Sequence, residues 1–301
     1  MSTRKLYATD VLVLSHFDLG EADRVLSVLT PVDGKLKVIA KGVRRPTSRL
    51  GGSLEPFAEL RLSLVRGRTF DIVTQAAVIH PWLRLRDSLA STATAWYVTE
   101  LADRSLEERH PAEPLYAILH RAYTLLDAGM APGRVARWFE LRLADELGFR
   151  PEIDRCVECD RLIEPTESVR WVPALGGVVC PRHGGPTLQE AGISTDALRV
   201  LKAYQRMDAE AIAGLRLPPG VEREAEEAIR AFLVYVLERE PRSRRFLDEV
   251  RPGTGATDPR TAPSRAAALS PPSPATETAP RLERPWFADP PPASVTEGAD
   301  R

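Results

Sequence analysis

The first eighty or so residues alternate apolar and polar side chains in short runs, without the three- and four-residue apolar spacing of helices. Runs at 6–17, 25–30, 36–41, 59–65 and 70–79 each read as a β-strand. Asp33-Gly34, Gly51-Gly52 and Arg66-Gly67-Arg68 supply turn chemistry between them. Five strands with no helix among them predict a small barrel or sandwich, and the OB-fold fits that number and length best. From Pro81 the period becomes helical. Apolar residues such as Val135, Trp138, Phe139 and Leu143 predict helices at 82–106, 112–126, 133–147, 195–207 and 221–238, punctuated by Pro111, Pro132 and Gly148.

The expected fold class is therefore α+β and multidomain: a five-stranded OB-fold barrel at 1–80, then a helical domain at 81–250 with a cysteine-bearing, irregular insert at about 150–186. Trp96, Tyr97, Tyr116, Tyr123, Trp138 and Phe139 fall at helical spacing, which assigns them to the core rather than to base stacking. After Arg251 the chain holds eleven of its 26 prolines and many Ala, Ser and Thr. Such a segment buries too little apolar surface to offset chain entropy, so 251–301 is expected to be a disordered tail. Its one apolar island surrounds Trp286-Phe287.

Charge changes the picture in one place. The 301-residue chain has a net charge of -1, yet residues 35–68 carry nine basic side chains against two acidic ones. Alternation along 34–41 sends Leu36, Val38 and Ala40 to one face and Lys35, Lys37 and Lys41 to the other. Arg44, Arg45 and Arg49 follow in a loop, and Arg61, Arg66 and Arg68 extend the track. This polarity points to a polyanion such as DNA, bound through its phosphates and without sequence preference. The rival reading is a non-catalytic adaptor whose basic face meets an acidic protein.

Cys156-Val157-Glu158-Cys159 is followed after twenty residues by Cys180-Pro181-Arg182-His183, which uses every cysteine in the chain. Two tight knuckles with three thiolates and an imidazole suit tetrahedral Zn²⁺. Four protein ligands leave no position for an activated water, so the expected zinc is structural. No Walker-type loop, G-x-G-x-x-G, G-x-S-x-G or H-E-x-x-H occurs, and no enzymatic activity is expected. Asp18, Glu21, Asp23 and Asp33 lie at turns, where carboxylates serve the backbone more readily than they hold Mg²⁺. With no spanning apolar stretch, no apolar leader and few cysteines, the expected location is the cytoplasm, at the nucleoid.

Gly20-Glu21-Ala22-Asp23-Arg24, Leu29-Thr30-Pro31-Val32-Asp33-Gly34-Lys35, the string from Ala40 through Lys41-Gly42-Val43-Arg44-Arg45 to Leu50, and Leu54-Glu55-Pro56-Phe57 together resemble the RecO family of bacterial recombination mediators. Gly148-Phe149-Arg150-Pro151 ahead of the C-x-x-C extends the likeness to about residue 250. The resemblance implies an OB-fold followed by a helical domain with a zinc-finger-like insert. It also implies binding of single- and double-stranded DNA, annealing of complementary strands, contact with single-strand-binding protein, and cooperation with RecR in loading RecA.

Overall fold

The computed structural model describes residues 6–250 except 47, 49, 51, 53, 165–166, 184–190 and 239. Arg49 and the proline-rich segment 251–301, with Trp286-Phe287, lie outside the described residues. Strands β1 (Leu6–Leu19), β2 (Asp23–Thr30), β3 (Gly34–Ala40), β4 (Glu59–Val65) and β5 (Asp71–His80) close into a barrel in the order β1-β2-β3-β5-β4, an OB-fold. Among the described barrel strands, only β3 and β5 pair in parallel. The long β1 pairs with β4 through residues 6–12 and with β2 through 12–19, and a register shift between Val13 and Ser15 lets it turn from one neighbour to the other.

Side chains of alternating positions fill the barrel: Val11, Val13, Leu26, Val28, Leu36, Val38, Leu60, Leu62 and Leu64 are all buried. The opposite face of β1 and β2 is not left to water. Leu12, Leu14 and Leu29, with Phe57 from the loop before β4, join the core of the helices. That packing explains the continuous apolar run Val11-Leu12-Val13-Leu14 within β1 and the paired Val25-Leu26 and Val28-Leu29 of β2: both faces are covered there.

The helices follow as α1 (Leu89–Ser105), α2 (Glu113–Asp127), α3 (Pro132–Glu146), α4 (Thr195–Arg206), α5 (Ala209–Ala213), α6 (Pro219–Leu237) and α7 (Ser243–Glu249). The first begins later than its apolar pattern suggests. Residues Arg84–Asp87 form a 3-10 turn, and Ser88 sits in an extended conformation with its hydroxyl accepting the Ser91 N–H at 3.3 Å. Such a side chain caps a helix start by satisfying an otherwise unpaired donor. Tyr97, Tyr123, Trp138 and Phe139 are buried as expected, while Trp96 lies at the surface with its ring edge-on to Phe57 at 4.7 Å.

The insert is only partly irregular: the described residues of 150–168 hold no strand or helix, two short strands follow, and a third lies just beyond its expected end. Short strands β6 (Val169–Val172), β7 (Gly177–Val179) and β8 (Ala191–Ile193) make a three-stranded sheet in the order β7-β6-β8, and Trp171 on β6 is buried with its indole N–H donating to the Ala228 carbonyl of α6 at 2.8 Å. Strands of three or four residues are too short for alternation to register in a sequence. Barrel, helices and insert belong to one compact unit.

Candidate nucleic-acid interface and metal-binding cluster

The loop leaving β3 is built by its own backbone. Gly42 adopts φ +66, where a side chain would be strained, and its N–H donates to the Asp23 carboxylate at 2.8 Å. Arg44 N–H donates to the Ala22 carbonyl at 3.0 Å, and Val43 is buried in the barrel. The loop is thereby fixed against the β1–β2 turn, leaving Lys41, Arg44 and Arg45 exposed. Together with Arg24 and Ser48, Arg44 and Arg45 line a cleft of about 380 Å³ at this rim of the barrel. Arg24 is held there by Asp18 and Glu55, each at 3.0 Å. Asp18 and Asp23 thus serve arginines and backbone, in keeping with their place at a turn. Arg24 was not singled out by charge, because it lies outside the basic run; the Gly20–Arg24 motif is the sequence signal that contains it.

The eight of these nine cations that fall among the described residues do not form one open face. Lys35 points into the seam between barrel and helices, where its ammonium lies 2.8 Å from an Asp103 carboxylate oxygen and 2.9 Å from the Asp103 carbonyl. Its backbone carbonyl accepts the Arg109 N–H at 2.9 Å. Lys37 pairs with Glu108, which this contact holds below the usual carboxylate range. The strand's polar face is expected to be open; at Lys35 it is covered, because α1 packs there, while Lys37 stays exposed and meets Glu108 from the segment after α1. Arg44 pairs with Asp18, Arg61 forks onto Asp10 of β1, and Arg66 reaches Asp33 at 3.9 Å. Among the described residues no carboxylate pairs with Lys41, Arg45 or Arg68.

These pairs are unequal. The Lys35 side chain is 15 % exposed, whereas those of Lys37, Arg44, Arg61 and Arg66 are between 40 % and 60 % exposed. Exposed pairs contribute about 0–1 kcal/mol and can exchange a carboxylate for a phosphate at small cost. The positions also separate. Arg66 meets the start of β3 at Asp33, while Arg44 and Arg45 follow its end, roughly 20 Å along the strand.

The second constellation does assemble. The ligand atoms of Cys156, Cys159, Cys180 and His183 all lie within 4.8 Å of one another and could hold a metal ion. The first knuckle closes through the Asp160 N–H on the Cys156 carbonyl at 2.8 Å, with Asp160 at φ +56, and the second through the His183 N–H on the Cys180 carbonyl at 3.0 Å. Arg170 of β6 donates to the His183 carbonyl at 2.6 Å, tying the second knuckle to the sheet. His183 Nδ1 stands 3.2 Å from Cys180 Sγ and 3.8 Å from Cys156 Sγ. Removal from solvent alone would raise the Cys180 thiol. Hydrogen bonds with His183, the Arg182 N–H and Arg161 outweigh it and bring the thiol down to about 6, which favours the thiolate a metal requires.

Residues 1–82 match the family model described as recombination protein O N terminal, and residues 86–245 match the one for its C terminal. The chain belongs to the RecO family. Curated relatives called DNA repair protein RecO include one from Roseiflexus sp., 36% identical over 262 residues covering 87% of this chain and 92% of its own length. One from Anaeromyxobacter sp. is 37% identical over 250 residues, with 81% and 96% covered. Another, from Dehalococcoides mccartyi, is 33% identical over 245 residues, with 81% and 96% covered. The two RecO segments meet at the 3-10 turn, where fully buried Leu85 donates its N–H to Asp127 at 2.9 Å. No helix among the described residues is long and apolar enough to cross a membrane.

Proposed function

We propose that this RecO-family chain is a non-catalytic DNA-repair protein, working in the cytoplasm at the nucleoid. It binds single- and double-stranded DNA through phosphates, anneals complementary strands, and helps load RecA with RecR where single-strand-binding protein covers the DNA. The observation that carries the reading is the backbone-fixed loop of Lys41, Arg44 and Arg45 beside Arg24 at the barrel rim. Away from the rim, Lys37, Arg61 and Arg66 are exposed cations whose weak pairs a phosphate can replace, and Arg68 is exposed with them. Arg49 completes the loop by sequence. Lys35 is left to the seam. Neutralising several phosphates at once lowers the repulsion between two strands, which suffices for annealing without ATP.

Zn²⁺ is the ion proposed for Cys156, Cys159, Cys180 and His183. Three soft thiolates with an imidazole favour it over a hard cation, and four protein ligands give it a structural part.

Fluorescence anisotropy with a short labelled oligonucleotide, titrated at several salt concentrations, tests the interface. The triple variant Lys41→Ala, Arg44→Ala, Arg45→Ala is expected to flatten the slope of log affinity against log salt by about two, since each phosphate contact on a single strand contributes about 0.7. An unchanged slope removes the rim from the account. Absence of saturable binding by the unaltered chain at moderate salt would favour the adaptor reading.

A further inference from the structure

Glu59, His80 and His120 meet outside both sites described above. Glu59 opens β4, His80 closes β5 directly opposite it, and His120 lies within α2. Glu59 Oε2 stands 3.4 Å from His120 Nε2 and in direct hydrogen-bond contact with His80 Nδ1, and the three ligand atoms lie within 4.8 Å of one another. Tyr116, one turn before His120, donates its hydroxyl to the other carboxylate oxygen at 2.6 Å. Trp82 walls one side, its ring stacked on His80 at 5.6 Å and edge-on to His120 at 5.1 Å.

The Glu59 side chain is 9 % exposed; its direct partners are His80, His120 and Tyr116, and Arg61 acts on it only electrostatically. A carboxylate this far withdrawn from water needs close partners to stay charged, and it faces two imidazoles that each carry one proton when neutral. A divalent transition ion answers both needs, because imidazole nitrogen and carboxylate oxygen are its ordinary ligands. The 3.4 Å between Glu59 and His120 matches the spacing of about 3.3 Å between two ligands held at about 2.0–2.1 Å in a tetrahedron. Tyr116 is placed as the outer hydrogen bond that orients a ligating carboxylate.

We propose that Glu59, His80 and His120 form a second metal site, taking one zinc-type divalent ion that ties the ends of β4 and β5 to α2. Binding replaces the direct His80–Glu59 hydrogen bond with two coordinate bonds. Three protein ligands leave a fourth position for water or an incoming donor. The site stands apart from the cysteine cluster and rests on neither the DNA nor the zinc reading above.

The test is a Co²⁺ titration of the untagged, metal-free full chain by absorption, where thiolate charge-transfer bands report the cysteine cluster and ligand-field bands without them report this site. Two equivalents are expected in the unaltered chain, and one in His120→Ala and in His80→Ala, both retaining the thiolate bands as proof of folding. Tyr116→Phe keeps every ligand and should weaken the second equivalent about tenfold or more. If His120→Ala loses the thiolate bands as well, His80→Gln decides, because that ring is exposed. A chain that takes one equivalent, lost with Cys180→Ser, overturns the proposal, as does a second equivalent that neither histidine variant disturbs. One equivalent without thiolate bands, lost in His80→Ala, would sustain this site while removing the cysteine one.

Discussion

Lys35 and Lys41 bracket the same strand and have opposite fates. Alternation turns both outward, and it holds: Leu36, Val38 and Ala40 face the barrel core. What a single sequence does not encode is which part of a barrel's outer surface another domain will cover. Asp103 and Glu108 meet Lys35 and Lys37 only after α1 is docked, some seventy residues further along the chain. Lys35→Ala is therefore expected to leave the salt slope of DNA binding unchanged. It should lower unfolding stability by about 1–3 kcal/mol, read from the urea midpoint, because it strips a partly buried carboxylate of its charged partner. The metal ligands were legible for the contrary reason. Each pair sits within four residues, so local knuckle geometry had only two segments to bring together. Glu59, His80 and His120 carry no such spacing, and only the fold makes them neighbours.

Elements were predicted best where a period had room to repeat. The expected 59–65 strand matches β4, and α2 and α3 lie within a residue of expectation at each end. The misses are short: α5, α7 and the strands of the insert, which owe their form to neighbours rather than to pattern. Helix α7 is held at its first turn by Glu100 of α1, whose carboxylate accepts the Arg242 N–H at 2.8 Å, the Ser243 N–H at 2.7 Å and the Ser243 hydroxyl at 2.6 Å. Partial burial raises the Glu100 carboxyl. The bonds from Ser243 and Arg242, with Arg104 nearby, outweigh burial and hold it below its ordinary value. A carboxyl depressed on folding stabilises the folded chain above its unfolded pKa, and that contribution fades as pH falls through the folded value. Protection of α7 amides should accordingly fall before that of α3 as pH drops below the ordinary carboxylate range, and Glu100→Gln should remove most of that dependence.

The insert offers a parallel test. Stripping metal with a chelator is expected to raise proteolysis within 150–183 while circular dichroism of the remaining helices holds, and added Zn²⁺ should restore protection. Unaltered proteolysis would show that the knuckles hold themselves.

At the scale of the whole molecule, the surface between barrel and helices is neither thin nor wholly polar. Leu12, Leu14, Leu29 and Phe57 share the helical core, Arg86 donates to the Pro56 carbonyl at 2.6 Å, and Gly34 approaches so closely that a Cβ there would lie 1.7 Å from the His110 carbonyl oxygen. Deeper in, Arg137 and Glu140 of α3 form a buried network with Glu226 of α6, Arg244 of α7 and Tyr97 of α1, with Arg137 to Glu226 at 2.9 Å and Arg244 to Glu226 at 2.6 Å. Breaking one partner would strand a charge away from water. Barrel and helices are thus expected to unfold in one transition, with tryptophan fluorescence and far-ultraviolet circular dichroism giving coincident urea curves. Two separated steps would show that the shared core is weaker than its contacts.

The closeness at Gly34 bears on how such a body could be used. Because barrel and helices share one compact unit, anything gripped at Lys41 to Arg45 would hold a set bearing towards anything gripped at α1 to α7. Whatever slack a reaction between two bound guests demands must come from the guests.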